Sequence, residues 1–248
     1  MLIGVAILAA IAFGLAALLV DRLIAVVPSS WEAHLFPDFS RLQHEPANET
    51  ERLRQKALDS LIERLAARWP EAPDNLRVGL MDSEQPNALA FPGGLILVTT
   101  ALLDDVVSEN ELAFVLGHEL GHYRGRDHLQ SLGRGLAVGL VMAALGRSGT
   151  TADLVALSGQ LSSRSFGREQ ESEADAFGLA LVEAEFGHVN GATEFFNRLP
   201  SPQTALERSL ATYLATHPLT DARVDAMERL ARKNTWSTEG ELTPLPFP

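Results

Sequence analysis

The five residues His118-Glu119-Leu120-Gly121-His122 restrict this chain more than any other feature. Histidines four apart share a face on a helix, so the pattern demands a helix there and aims two imidazoles at one place. Zinc suits neutral imidazole together with carboxylate, and it lowers the pKa of bound water toward ~7. Glu119, beside the first histidine, is placed to take a proton from such a water and pass it to a leaving amine. The helix start is also written in the sequence. Ser108 precedes Glu111 by three residues, the spacing of a capping box, and Leu112, Val115, Leu116 and Leu120 then form an apolar stripe. The expectation is one Zn2+ per chain, held by His118 and His122, with Glu119 as general base.

A catalytic zinc needs a third protein ligand and an open position for water. The stretch from Phe166 to Asp175 offers Glu169, Glu171 and Glu173 on one predicted helix, 166–185. Spacing leaves all three open. Glu171 and Asp175 are i and i+4, so the first could ligate while the second hydrogen-bonds the far nitrogen of a ligand histidine and fixes its tautomer. Without the upstream motif, such an acidic run would read as a solvated helix face.

Charge narrows the partners. With 32 acidic against 20 basic residues and a net charge of −12, the chain lacks the basic footprint that nucleic acid or an anionic lipid surface requires. No cysteine is present, which removes disulfides, thiolate ligands and a cysteine nucleophile together, and leaves the compartment open.

Leu2 to Val20 is a run of uncharged, apolar residues that covers ~29 Å as a helix, about the hydrocarbon thickness of a bilayer. No Lys or Arg precedes it, and it is longer than a signal peptide's apolar region. We therefore expect a transmembrane anchor at 2–20 and a juxtamembrane connector at 21–48. A metallopeptidase domain is expected at 49–233 and a Pro-rich flexible tail at 234–248. Helices are expected from Thr50 to Trp69 on a Leu53, Ala57, Leu61, Leu65, Trp69 stripe, and over 202–215 and 220–233. Strands are expected at 76–80 and 95–100, joined by turn formers around Asn87 and Pro92-Gly93-Gly94. The apolar stretch 135–145 is too short to span a bilayer and reads as a buried or membrane-grazing helix. His34, His44, His128 and His188 are expected to be structural.

Four blocks in this order resemble metallopeptidase family 48, the membrane-associated gluzincins that include HtpX-like and CAAX prenyl proteases. They are Asn87-Ala88-Leu89-Ala90-Phe91-Pro92-Gly93-Gly94, Gly117-His118-Glu119-Leu120-Gly121-His122, Arg168-x-x-Glu171-x-x-Ala174-Asp175, and Thr216-His217-Pro218 followed by Arg223. The resemblance covers roughly 49–232. Gly167 departs from it, standing where many members have Ser. The resemblance implies a mostly helical α+β zincin fold with a small β-sheet, with Glu171 as third zinc ligand and Asp175 as its supporting carboxylate. It further implies that the strand after Gly93-Gly94 offers its edge to an extended peptide, with Asn87, Gly93 and Gly94 in substrate binding. His217 is implied to lie near the cleft, as donor to a developing oxyanion.

The function so expected is a membrane-anchored zinc metalloendopeptidase in protein quality control, acting on misfolded or membrane-proximal polypeptides. Its catalytic domain would face the periplasm from a bacterial inner membrane. The alternatives are a zinc-binding chaperone or adaptor that keeps the fold without turnover, and a peptidase autoinhibited by the His217 loop or the tail.

Overall fold

Asn48 opens the first long helix by accepting the Glu51 N–H on its side-chain oxygen at 2.9 Å, which satisfies one of the donors a helix start leaves unpaired. The computed structural model describes residues 31–35, 39–131, 166–194, 217 and 221–248, with isolated positions between 14 and 28 and at 133. Helices α1 (Glu32–Leu35) and α2 (Glu49–Ala67) lead into strands β1 (Arg77–Met81), β2 (Ala88–Phe91) and β3 (Leu95–Thr99). Helices α3 (Thr100–Asp105), α4 (Glu109–Gly125), α5 (Arg168–Phe186) and α6 (Asp221–Lys233) follow.

The fold is a mostly helical domain with one small mixed sheet. Its order is β1-β3-β2, with β1 parallel and β2 antiparallel to β3. All five residues of β3 are buried, as a central strand covered on both faces should be. Helix α2 packs on β1 and α4 on β2. Leu58, Leu61 and Leu65 of α2, Leu80 of β1, Ile96 and Val98 of β3, and Phe114 and Leu116 of α4 form the fully buried centre. Each such side chain contributes roughly 1.5–3 kcal/mol of apolar transfer.

Several expectations are corrected. Ala88–Phe91, assigned no element between the expected turns, is a strand; four residues, two of them Ala, carry little β signal, and pairing with β3 decides the matter. β3, expected to offer a free edge, lies between β1 and β2. The outer strands are β1 and β2. The outer side of β1 is taken by the His44 N–H on the Leu80 carbonyl and by the Gln55 side chain on Val78 and Leu80, so among the described residues β2 is the edge left for an extended peptide. Leu53 of the predicted α2 stripe is exposed, and Leu58 and Ile62 take its place in the core.

The segment expected to be a flexible tail lies against the catalytic body. Residues 234–248 carry no helix or strand, yet Val189 donates to the Ser237 carbonyl at 2.8 Å and Glu109 to the Thr243 carbonyl at 2.9 Å. Phe247 is buried, with the Arg54 guanidinium over its ring at 5.5 Å. Composition suggested disorder, but spaced apolar anchors and the unpaired amides at the start of α4 hold the segment down.

Other expectations fall elsewhere. The regions 135–145 and 202–215 lie outside the described residues, as does 2–20 apart from positions 14, 15, 18 and 19. Among the described residues no helix is long and apolar enough to cross a membrane.

Candidate metal centre

Small residues bring the two site-bearing helices into backbone contact. A Cβ added to Gly117 would stand 2.9 Å from Gly178 Cα, and one added to Gly121 would stand 2.7 Å from Ala174 Cα. Real side chains do not tolerate such distances, so α4 and α5 approach as closely as they do only because these positions are glycine. The Ser108 hydroxyl accepts the Glu111 N–H at 3.2 Å and fixes the start of α4, while the Glu111 carboxylate reaches back to the Val107 N–H at 2.8 Å.

Along this seam His118, His122, Glu171 and His217 each turn one donor atom to a common centre, all within 4.8 Å of one another. His118 Nε2 and His122 Nε2 are 3.1 Å apart. His217 Nδ1 is 3.1 Å from the first, 3.3 Å from the second and 3.2 Å from Glu171 Oε1. All four residues are buried.

The outer nitrogens explain how the rings are set. His118 Nδ1 lies 3.1 Å from Asp175 Oδ1, and His122 Nδ1 lies 2.8 Å from Asp127 Oδ2. Both carboxylates are acceptors, so each ring carries its proton on Nδ1 and turns a bare Nε2 inward. Burial, with the neighbouring imidazoles, pushes His118 down to about 4, and burial pushes His217 well below the usual imidazole range. Neutral nitrogens with lone pairs facing each other at 3.1 Å repel unless a cation lies between them. Ligand atoms ~2.0–2.1 Å from a tetrahedral centre stand ~3.3 Å apart, close to the spacing found. The donor set therefore fits a metal ion, and zinc in particular.

Arg223 of α6 completes the frame. Its guanidinium contacts both Asp175 oxygens at 2.6 and 2.7 Å and Glu171 Oε2 at 2.7 Å. Burial pushes Asp175 up, but Arg223 and His118 outweigh it and hold the carboxyl down to about 2. Burial likewise raises Glu171, offset in part by the same neighbours.

Glu119 is buried beside the His217 ring, next to the nitrogen turned away from the donor cluster. Burial drives its carboxyl well above the usual range, the nearby Glu171 charge adds to this, and the Ala90 N–H of edge strand β2 takes part of it back. His217 Nε2 lies 3.4 Å from Glu119 Oε1. The His122 ring stacks on Phe166 with centroids 4.0 Å apart.

Residues 52–231, spanning α2 to α6, match peptidase family M48. The chain belongs to peptidase family M48. This M48 peptidase is 29% identical over 185 residues to a putative beta-barrel assembly-enhancing protease of Vibrio cholerae, covering 69% of this chain and 38% of that protein. It is 30% identical over 147 residues to the mitochondrial metalloendopeptidase OMA1 of Schizosaccharomyces pombe, covering 58% and 43%. Human OMA1 is 25% identical over 169 residues, covering 63% and 32%. The peptidase thus spans about two fifths of the length of the first two relatives.

Of the residues singled out from the sequence, His118, His122 and Glu171 come together in the M48 peptidase at one centre, with Asp175 against His118 and Glu119 against His217. His217 does too, but as a member of the donor cluster rather than beside it. Asn87, Gly93 and Gly94 flank the two ends of β2 and do not join the cluster. Asn87 is tied up locally, its side-chain oxygen accepting the Ala88 N–H at 3.0 Å. Sequence reading assigned no role to Arg223 or Asp127. The first stood in the family blocks without a partner. The second is brought under His122 by Arg126, which takes a left-handed conformation (φ 60°) without being glycine and so gives no composition signal.

Proposed function

We propose that this chain is a zinc-dependent metalloendopeptidase in which His118, His122 and Glu171 hold the metal and Glu119 is the general base. The observation that carries this is the pair of carboxylate-oriented histidines presenting bare Nε2 atoms 3.1 Å apart next to a buried glutamate. When bound, the metal supplies Lewis acidity of the kind that brings the pKa of water toward ~7. Glu119 takes a proton from the attacking water and returns it to the departing amine. Burial raises the proton affinity of this carboxylate, which strengthens it as an acceptor of that proton. Asp175 and Asp127 keep the two ligand rings in the productive tautomer. The free edge of β2, whose Ala90 touches Glu119, offers main-chain groups to an extended substrate.

The substrates we propose are misfolded or membrane-proximal polypeptides, a reading supported by relatives named for beta-barrel assembly and by the mitochondrial endopeptidases. An anchor at 2–20 with the catalytic domain on the periplasmic side of a bacterial inner membrane is the placement we propose. It rests on the apolar run and on the bacterial relative. Protease accessibility in intact cells and spheroplasts tests it: a catalytic domain shielded in spheroplasts would reverse the side.

A second reading concerns regulation. His217 Nδ1 sits where a fourth ligand would, and four protein ligands make a closed site whereas catalysis needs an open position. His217 is accordingly the group that must withdraw for turnover. The tail is a poorer candidate for this role, since it meets α4 at Glu109, ~13 Å along the axis from His118.

Zinc content and cleavage of an unfolded protein test both readings together. We expect about one zinc per chain, cleavage abolished by chelation and by Glu119→Gln, and faster cleavage with zinc retained in His217→Ala. Zinc present with no cleavage in any form would favour the chaperone alternative, and absence of zinc would sink the metal assignment.

A further inference from the structure

Upstream of the family-matched region, one carboxylate is buried in the catalytic body. Glu32, in the single turn α1, is 1% exposed, an unusual place for a side chain that is almost never fully buried unless paired. Its Oε2 accepts the Gly93 N–H at 3.2 Å and a hydrogen bond from His128 Nε2 at 3.2 Å. The Arg126 guanidinium stands 3.9 Å from Oε1, and the Tyr123 hydroxyl faces the same carboxylate. Arg126 also donates to the Ile24 carbonyl, a second tie to the N-terminal segment.

Both attachments of Glu32 lead to the metal centre. Gly93 lies in the β2–β3 turn with φ 82°, where glycine is favoured, and its carbonyl is held from the far side by Asn75 Nδ2 at 2.9 Å. Three residues earlier, on β2, Ala90 gives its N–H to Glu119. On the other side, Arg126 and His128 flank Asp127, whose carboxylate orients His122. The left-handed turn at Arg126 is strained for a non-glycine residue and persists only where surrounding contacts impose it. Glu32 and the Ile24 carbonyl are among those contacts, and the His128 ring is fixed further by stacking on Tyr123 at 4.9 Å.

We propose that Glu32 is a positioning residue, a pin through which the N-terminal segment holds edge strand β2 and the hook 126–128 in register and so seats Glu119 and His122. The proposal rests on the peptidase reading and extends it to a part of the chain outside residues 52–231. The connector before the catalytic body thereby gains a specific role, since displacement of α1 loosens the general base and one ligand histidine together, without touching either directly.

The test compares full-length wild type with Glu32→Ala and with Glu32→Gln, which keeps an acceptor for Gly93 but loses the charge that faces His128 and Arg126. The readouts are kcat and KM on an unfolded protein, zinc content, and amide hydrogen exchange. We expect kcat/KM to fall by about tenfold or more in Glu32→Ala, the range seen for groups that orient ligands, with Glu32→Gln intermediate and zinc near one per chain. Exchange should quicken at residues 88–93 and stay unchanged in α2. A kcat/KM within about twofold of wild type, or unchanged exchange at 88–93, overturns the pin, even if the melting temperature drops. Should Glu32→Ala fail to fold, Glu32→Gln decides by the same criteria. Should wild type itself cleave nothing, the peptidase reading fails separately, and exchange at Gly93 still decides the pin.

Discussion

Arg223 closes on Asp175 with two arms of its guanidinium, Nε at 2.7 Å from Oδ2 and Nη2 at 2.6 Å from Oδ1. Because Asp175 also holds His118 Nδ1, a line of contacts runs from α6 through α5 to the ligand face of α4. The third arm reaches Glu171, so one cation balances two buried carboxylates that would otherwise repel.

Arg223→Met should therefore leave both acids buried without their counter-charge. Removing one partner of a buried pair typically costs about 3–5 kcal/mol. Denaturant unfolding of the metal-free protein measures this directly. A loss below about 1 kcal/mol would mean that water has replaced the guanidinium.

Asp127→Asn keeps the shape of the residue and removes the charge that orients His122. Metal affinity should fall by about 10–100-fold, read by competition with a chromogenic chelator. Equal affinity in the two proteins would show that Gln170, whose side chain also meets Asp127, fixes the ring through the amide.

Gly178→Ala places a methyl 2.8 Å from the His118 backbone nitrogen, with no flexible side-chain end to yield. We expect about 1–3 kcal/mol of destabilisation, the usual cost of overpacking, together with faster zinc loss. Thermal unfolding and zinc release measured side by side check whether the two effects travel together.

Glu32 supplies a pH test independent of activity. Burial pushes its carboxyl up, but hydrogen bonding and charge from His128, the Gly93 N–H and Arg126 outweigh it, leaving the folded value below the ordinary 4.5. A group lowered on folding stabilises the protein above its unfolded pKa, and that contribution disappears as pH falls through the folded value. Stability of wild type should thus decline more steeply than that of Glu32→Gln as pH drops below about 4.5. Parallel curves would show that Glu32 gains nothing from its partners.

What the sequence disclosed follows rules that act over a few residues. The start of α4 at Ser108 and the shared face of His118 and His122 depend on helical spacing alone. Glu171 was separable from Glu169 and Glu173 only through family resemblance, since all three sit in the same turns of α5. What stayed hidden depends on contacts across long stretches of chain. Glu32 meets His128 across 96 residues, Arg223 meets Asp175 across 48, and His217 meets His118 across 99. Strand β2 was too short and too rich in Ala to announce itself, and the tail's proline content masked the anchors Trp236 and Phe247.

The seam of Gly117, Gly121, Ala174 and Gly178 has a consequence for anyone who would transplant this centre. The spacing between the histidines and Glu171 is fixed by main chain touching main chain, not by the choice of rotamers. Grafting the donor side chains onto another helix pair, with ordinary residues between the axes, would put the donors ångströms too far apart. The recipe for the site is thus as much the missing side chains as the present ones.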